Sequence, residues 1–460
     1  MTNGYAAVID IGKTNAKLAL VRLSDRSEVA IATRPNTVLP GPPYPHFDVE
    51  GHWNFLLDEL LRFHAEHRIE AITVTTHGAA GALLGKDGAL VAPILDYEHT
   101  GPDACAAAYD MIRPPFSETG SPRLSMGLNL GAQLHWQFET DPQLRDRVHH
   151  VVTYPQFWAH RLTGVFATDV TSLGCHTDLW NPYQGKFSSL PDTLGIAEKI
   201  APPRKPVDIL GPISSEVVKR TGLPARTPVH CGIHDSNASL LPHLVAREPP
   251  FSVVSTGTWV IAMAVGGKTI TLDPARDTLV NVNTFGEAVP SARFMGGREH
   301  DIALGAMAVD ADNLQMLEVL SQHAMLLPAV VPETGPFAGA QARWHGGEPP
   351  LGSGQRCAAV GFYLALVTAH CLELIGHAGP IVVEGPFARN QPYLWMLGAA
   401  SSSSVIAMDS TTGTSRGAAL LIATDGTDTQ NKPAFPAPDE QIANPLLSYA
   451  RAWRAKVAAG

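Results

Sequence analysis

The sequence is poor in cysteine and short of positive charge. Its five cysteines in 460 residues, Cys105, Cys175, Cys231, Cys357 and Cys371, are scattered, odd in number and never spaced as CxxC. That pattern excludes a disulfide framework or a zinc ribbon as the organising device. Lys and Arg number 33 against 43 Asp and Glu, a formal net charge of −10. An acidic chain lacks the field that gathers nucleic acid or anionic membrane, so neither is expected as a partner. Any phosphorylated ligand must instead be held by a local site. Long apolar runs are scarce too. The longest, residues 357–375, contains Tyr363, His370 and Glu373 and reads as a buried helix, not a membrane span. The first residues, "MTNGYAAVIDIG", show no basic stretch ahead of a cleavable apolar segment and read as a strand. A cytoplasmic protein is the expectation.

What is present is globular: 45% hydrophobic and 17% charged residues. The length exceeds one ordinary core and predicts two domains. The prolines and charges of "LPHLVAREPP" place the boundary near 240–250, giving domains 1–243 and 244–460. Residues 5–11, "AKLALVRL" and "EVAIATR" read as three strands joined by tight turns. Helical spacing follows in "HWNFLLDELLRFHAEH", then a strand "AITVTTHG", then helices over 130–148 and 154–163. The second half repeats this grammar with "PFSVVSTGTWVIAMAV", the apolar helix near 357–375, the strand "PIVVEGPFARN" and a last core helix from "RGAALLIAT". The tail after about residue 424, rich in Pro, Asp, Thr and Gln, is expected to wrap the surface.

Each half thus opens with strand, small-residue turn, strand. The first turn carries Asp10, Gly12, Lys13, Thr14 and Asn15; the second carries Ser255, Thr256, Gly257 and Thr258. Such turns offer backbone N–H groups and hydroxyls to phosphate oxygens, although one alone is commonly an ordinary hairpin. Asp10 suits Mg²⁺ and not phosphate. Neither "DIGKTN" nor "GALLGKDG" is a P-loop: the GxxxxGK[ST] spacing is missing, and a strand, not a helix, follows the first. Asp235 in "GIHDSNASL" stands between a strand and an Ala/Leu-rich helix. It can deprotonate a sugar hydroxyl there, and it can equally be a helix cap. His77, Gly78, Asp96 and Glu98 lie on loops after strands, where polar groups suit a polyol; ordinary loops remain the alternative. Cys231 and His234 are two metal-type ligands without a third.

Together these segments resemble the FGGY carbohydrate kinases of the actin-like ATPase superfamily, over nearly the whole chain. The first phosphate motif of that family is matched by Asp10, Gly12, Thr14, Asn15 and Lys17, with Lys13 at a variable position. The second is matched by Ser255, Gly257, Thr258 and Trp259. The segment that supplies the base is matched by Gly232 and Asp235, and the sugar-site His-Gly by His77 and Gly78. "ITVTTHGAAGALLGKDGALVAPIL", "NLGAQLHW", "RLTGVFATDVTSLG" and "HDSNASL" look most like the L-fuculokinase and L-rhamnulokinase group. The adenosine loop departs from the family's glycine triplet, leaving Gly385 and Asn390, and "LDYEH" replaces a Trp-containing sugar segment.

The resemblance implies an α/β fold of two RNase H-like domains flanking a deep cleft, with ATP and Mg²⁺ as cofactors. It implies Asp10 as metal residue and Gly12, Lys13, Thr14, Asn15, Lys17, Ser255, Thr256, Gly257 and Thr258 on the phosphates. His77, Gly78, Asp96, Glu98, Asn129, His234, Asp235 and Trp259 would face a small-molecule sugar, Asp235 acting as general base. The expected reaction is phosphorylation of a small ketose at a primary hydroxyl. A sugar sensor on the same fold and a sugar-independent actin-like ATPase are the alternatives, and a homodimer is left open.

Overall fold

A computed structural model of the chain describes residues 4–305, 309–408, 413–422 and 432–459. The chain divides into two compact units. The first comprises Met1–Ala246 with Val280–Ala288 and Thr412–Thr429; the second comprises Arg247–Leu279, Val289–Thr411 and Gln430–Gly460.

In the first unit, β1 (Tyr5–Ile11), β2 (Asn15–Arg22) and β3 (Glu28–Pro35) form an antiparallel meander. β4 (Ile69–Thr76) joins β1 in parallel, and β5 (Pro228–His230) and β6 (Ile233–His234) join β4 in parallel. β1 is buried on both faces, so alternate side chains enter different cores. Ala7, Ile9 and Ile11 pack with helix α1 (Val49–Glu66), whose Trp53, Leu56, Leu57, Leu60 and Phe63 recur at helical spacing. Ala6 and Val8 pack with Leu241 and with Ala418 to Leu421. Asp10 continues the second face, and this parity decides which elements its carboxylate meets.

The second unit repeats the plan. β7 (Phe251–Thr256), β8 (Val260–Val265) and β9 (Ala288–Phe294) are antiparallel neighbours. β10 (Ile381–Glu384) is parallel to β7, and β11 (Val405–Ala407) is parallel to β10. Apart from the edge strands Ile209–Pro212 and Thr278–Val282, three antiparallel strands and two parallel ones recur in the same arrangement in both sheets, in keeping with the two RNase H-like domains the resemblance implied.

The helices hold two departures from expectation. The stretch 130–148 is not one helix. α2 (Leu130–Thr140) stops at Asp141, because Pro142 disfavours helical backbone in the residue before it; only a short turn, Leu144–Arg147, follows. α3 (Asp235–Ala246) continues directly from β6. In the second unit, α4 (Gly296–Leu304) precedes α5 (Gly354–Leu374), which is long and apolar enough to cross a membrane but is buried in the unit's core, as its sequence suggested. The described part of the last expected core helix is Thr414–Ala419.

The tail is the other departure. Residues 423–431 lie outside the described residues, but α6 (Glu440–Ala458) is a 19-residue helix and not a surface wrap. Ile442, Leu446, Tyr449 and Trp453 form one apolar stripe, and the Trp453 indole donates to the Leu326 carbonyl at 2.8 Å.

Candidate active site

Asp10, one residue before the end of β1, is almost fully buried, at 7% exposure. The antiparallel register sets it opposite Lys17, whose Nζ lies 3.2 Å from Oδ2. Thr414 Oγ1 donates to the same oxygen at 2.5 Å, and Ser415 Oγ at 3.3 Å. These hydroxyls were missed in the sequence. Their signal is the small-residue run "GTSRGAA", in which a Cβ at Gly417 would lie 1.8 Å from the Ala238 carbonyl oxygen. Glycine there lets Thr414–Ala419 press against α3 and brings its first turn to Asp10. Across the β1–β4 register, Thr75 Oγ1 is buried beside Asp10 without a hydrogen-bond partner. Lone carboxylate and orphan hydroxyl fit a Mg²⁺ ion carried mainly by phosphates and water. Among the described residues, no cluster of three His, Cys, Asp or Glu side chains forms a cage of its own.

The turn after β1 is closed by Gly12 N–H donating to Asn15 O at 2.9 Å. Thr14 and Asn15 are exposed at its apex. Lys13 does not join them. Its ammonium contacts Asp96, lies 3.1 Å from Glu98 Oε2 and sits 4.7 Å over the Tyr97 ring. The side chain expected on the phosphates is thus committed to the loop expected to hold sugar.

His77, after β4, is caged by Phe47, Tyr154 and Tyr97 rings at 5.0, 5.0 and 5.2 Å. Its Nδ1 donates to the Gly78 carbonyl at 2.8 Å, while Nε2 is buried with no partner. Burial pushes the imidazole down to about 4, so it is neutral and Nε2 is a bare acceptor. Gly78 is required by close approach, since a Cβ would lie 2.8 Å from His234 Nε2. His234, also held near 4 by burial, places Nε2 3.2 Å from Asp235 Oδ1 and 3.6 Å from Cys175 Sγ.

Asp235 is the first residue of α3, not its cap, and its Oδ1 accepts from Ser236 N–H at 2.6 Å. Burial raises the carboxyl to about 6; His77 opposes the shift and Asp10 adds to it. The side chain is still 29% exposed, so water moderates the effect of burial. A carboxylate poised near neutrality, partly open and beside neutral imidazoles has the properties of a general base.

Asn129 does not belong to this surface. It is fully buried: Nδ2 donates to Ser121 Oγ, Pro122 O and His176 O at 3.0–3.2 Å, and Oδ1 accepts from Leu124 N–H at 2.7 Å. With its amide saturated, it staples loops and has nothing left for substrate.

In the second unit, Gly257 N–H donates to Trp259 O at 3.0 Å, closing a turn one residue shorter than that of Gly12. Ser255 is half-buried at the end of β7, and Thr258 is exposed at the turn. Thr256 is turned inward: its hydroxyl donates to Glu384 O at 2.5 Å and accepts from Phe387 N–H at 3.1 Å. That corrects its expected role, since a hydroxyl so engaged braces the loop after β10 against the turn. Gly385 follows from the same approach; its φ is +86°, and a Cβ would lie 1.9 Å from Thr256 O. Asn390 Oδ1 caps the next helix through Tyr393 N–H at 3.0 Å. Trp259 lies under the Arg293 guanidinium at 4.9 Å. The sequence reading also missed Gly297 of α4, whose N–H donates to Thr258 O at 3.2 Å.

Residues 5–242 match the N-terminal domain of the FGGY family of carbohydrate kinases, and residues 248–432 match the carbohydrate kinase FGGY C-terminal domain. L-fuculokinases of Salmonella typhi and Escherichia coli K12 are 30% identical over 203 residues and 28% identical over 268. Those alignments cover 44% and 56% of this chain and 42% and 55% of the relatives, so the chain spans about half the length of the curated relatives it matches. A carbohydrate kinase from Novosphingobium aromaticivorans superposes with a TM-score of 0.91 at 36% identity, over 98% of this chain and 100% of that one. A ligand-bound xylulose kinase from Lactobacillus acidophilus shares the fold, with a TM-score of 0.78 at 16% identity, over 99% and 98%. With both domain models matched in order and a solved relative aligned end to end, the chain belongs to the FGGY family of carbohydrate kinases.

Proposed function

We propose that the protein transfers the terminal phosphoryl group of ATP to a primary hydroxyl of a small ketose. An L-fuculose- or L-rhamnulose-like 6-deoxyketohexose, or a ketopentose, fits the relatives' names and the polar loops. The observation that carries this reading is Asp235: a partly open carboxylate near pH 6, on the β1 side of which sits the charged pair Asp10–Lys17.

Asp235 accepts the proton as the sugar oxygen becomes a nucleophile. The bare Nε2 of His77 accepts a second sugar hydroxyl, and its aromatic cage keeps it neutral. Asp96, held by Lys13, and Glu98 complete the polyol contacts, so Lys13 is assigned to the sugar loop. Phosphates are assigned to the backbone and exposed side chains of residues 12–15 in one unit and to Ser255, Gly257 and Thr258 in the other. Asp10 is assigned to Mg²⁺, which supplies charge neutralisation at the transferring group. What the protein adds is positioning and preorganised charge, which phosphoryl transfer chiefly needs.

The test is Asp235→Ala. It should abolish ketose-dependent ADP release while leaving MgADP binding within about twofold of wild type, since no phosphate contact is removed. Full turnover in that variant would remove the base from the reading.

A further inference from the structure

Behind the first turn lies a hydrogen-bonded chain that the sequence motifs do not include. Asn36, just after β3, grips the turn twice. Its side-chain Nδ2 donates to Gly12 O at 2.7 Å, and its backbone N–H donates to Thr14 O at 2.8 Å. Asn36 Oδ1 meets His52 Nε2 of α1 at 2.7 Å, and His52 Nδ1 meets Arg34 Nη1 at 2.8 Å. Arg34 is anchored in turn by Asp48, which also caps α1 through Gly51 N–H at 3.0 Å. His52 is wholly buried and Asn36 nearly so.

The direction of each bond follows from chemistry. A guanidinium can only donate, so His52 Nδ1 must accept and its proton sits on Nε2. Nε2–H then donates to Asn36, which fixes that amide with its oxygen toward His52 and its NH₂ toward Gly12. No link can reverse while Arg34 occupies one end. A trans peptide sets its C=O and the following N–H on opposite sides. Holding the carbonyls of Gly12 and Thr14 toward Asn36 therefore aims the N–H groups of Lys13 and Asn15 away from it.

We propose that Asn36 and His52 are positioning residues for nucleotide binding, with the Arg34–His52–Asn36 chain holding the first turn's N–H groups in the orientation that receives phosphate. The inference rests on the reading that residues 12–15 bind the nucleotide. It adds that their affinity is set by a buried histidine on a different element.

The experiment is titration calorimetry of the full chain with MgADP, run beside thermal melting, on wild type, Asn36→Ala, Asn36→Asp, His52→Leu and His52→Gln. Asn36→Ala and His52→Leu should weaken MgADP about tenfold, the effect of one net hydrogen bond on the turn. Asn36→Asp should weaken it further, because a carboxylate facing Gly12 O repels the carbonyl it should hold. His52→Gln, whose amide can accept from Arg34 and donate to Asn36, should stay within about threefold of wild type. A purely structural role would lower the melting temperature of all four and leave MgADP affinity of the folded protein unchanged; that result overturns the proposal while the nucleotide reading stands. If His52→Leu does not fold, the two Asn36 variants decide the matter by the same criterion. Failure of wild type to bind MgADP would overturn both the reading and the inference built on it.

Discussion

A carboxyl raised toward neutral pH costs the folded state stability, and Asp235 makes that cost measurable. Its carboxyl titrates near 6 in the folded protein, against ~3.9 in an unfolded chain. Below about pH 4 both states carry the proton and no difference arises. Between about 4 and 6 the unfolded chain ionises while the folded one holds its proton, so stability drains away with rising pH. Above about 6 both are ionised and the full penalty is in place. Two pH units correspond to about 3 kcal/mol. The 29% exposure of the side chain reduces the effective cost, to about 1–2 kcal/mol. Asp235→Asn keeps an acceptor for Ser236 N–H and removes the charge. It should therefore melt about 2–8 °C above wild type at pH 8, for a unit of this size, with the gap closing as pH falls from about 6 to about 4. Differential scanning fluorimetry across that range reads it directly. A variant less stable than wild type at pH 8, or a gap independent of pH, would show that burial does not strain this carboxylate.

Two more outcomes follow from close contacts. Gly417→Ala puts a Cβ 1.8 Å from Ala238 O, and should destabilise the first unit by about 2–3 kcal/mol through overpacking. Gly413→Ala, where a Cβ meets nothing within 4 Å, should melt close to wild type; equal melting temperatures for the two would refute the packing argument. Lys13→Gln should raise the KM for the ketose about tenfold through loss of the charge-assisted hold on Asp96, and leave the KM for MgATP nearly unchanged. A shift confined to MgATP would return Lys13 to the phosphates.

The parts of the site legible in sequence are those set by local rules. The β1–β2 hairpin puts Lys17 opposite Asp10 by register alone, and strand parity puts Asp10 on the face of Ala6 and Val8. The strand-to-helix step at Asp235 and the two-unit plan were readable the same way. What was not legible depends on partners far along the chain. Thr414 reaches Asp10 from 404 residues away because Gly417 permits a close helix contact, which no local pattern announces. Asn129 and Thr256 sit in motif-like segments, yet burial and saturated hydrogen bonds turn their side chains to structural duty. Lys13 is drawn from the turn by two carboxylates some 80 residues on. The helix Glu440–Ala458 was hidden by the composition ahead of it, although its own apolar stripe has regular helical spacing.

The central claim is that this site couples nucleotide turnover to a sugar hydroxyl. The most direct measurement is ADP release from MgATP by the wild-type chain, without sugar and with each member of a panel of 6-deoxyketohexoses, ketopentoses, tetruloses and polyols. Turnover dependent on a ketose of the panel, and lost in Asp235→Ala, is the result expected. ADP release at the same rate without sugar, or MgADP binding with no turnover on any sugar, would contradict it.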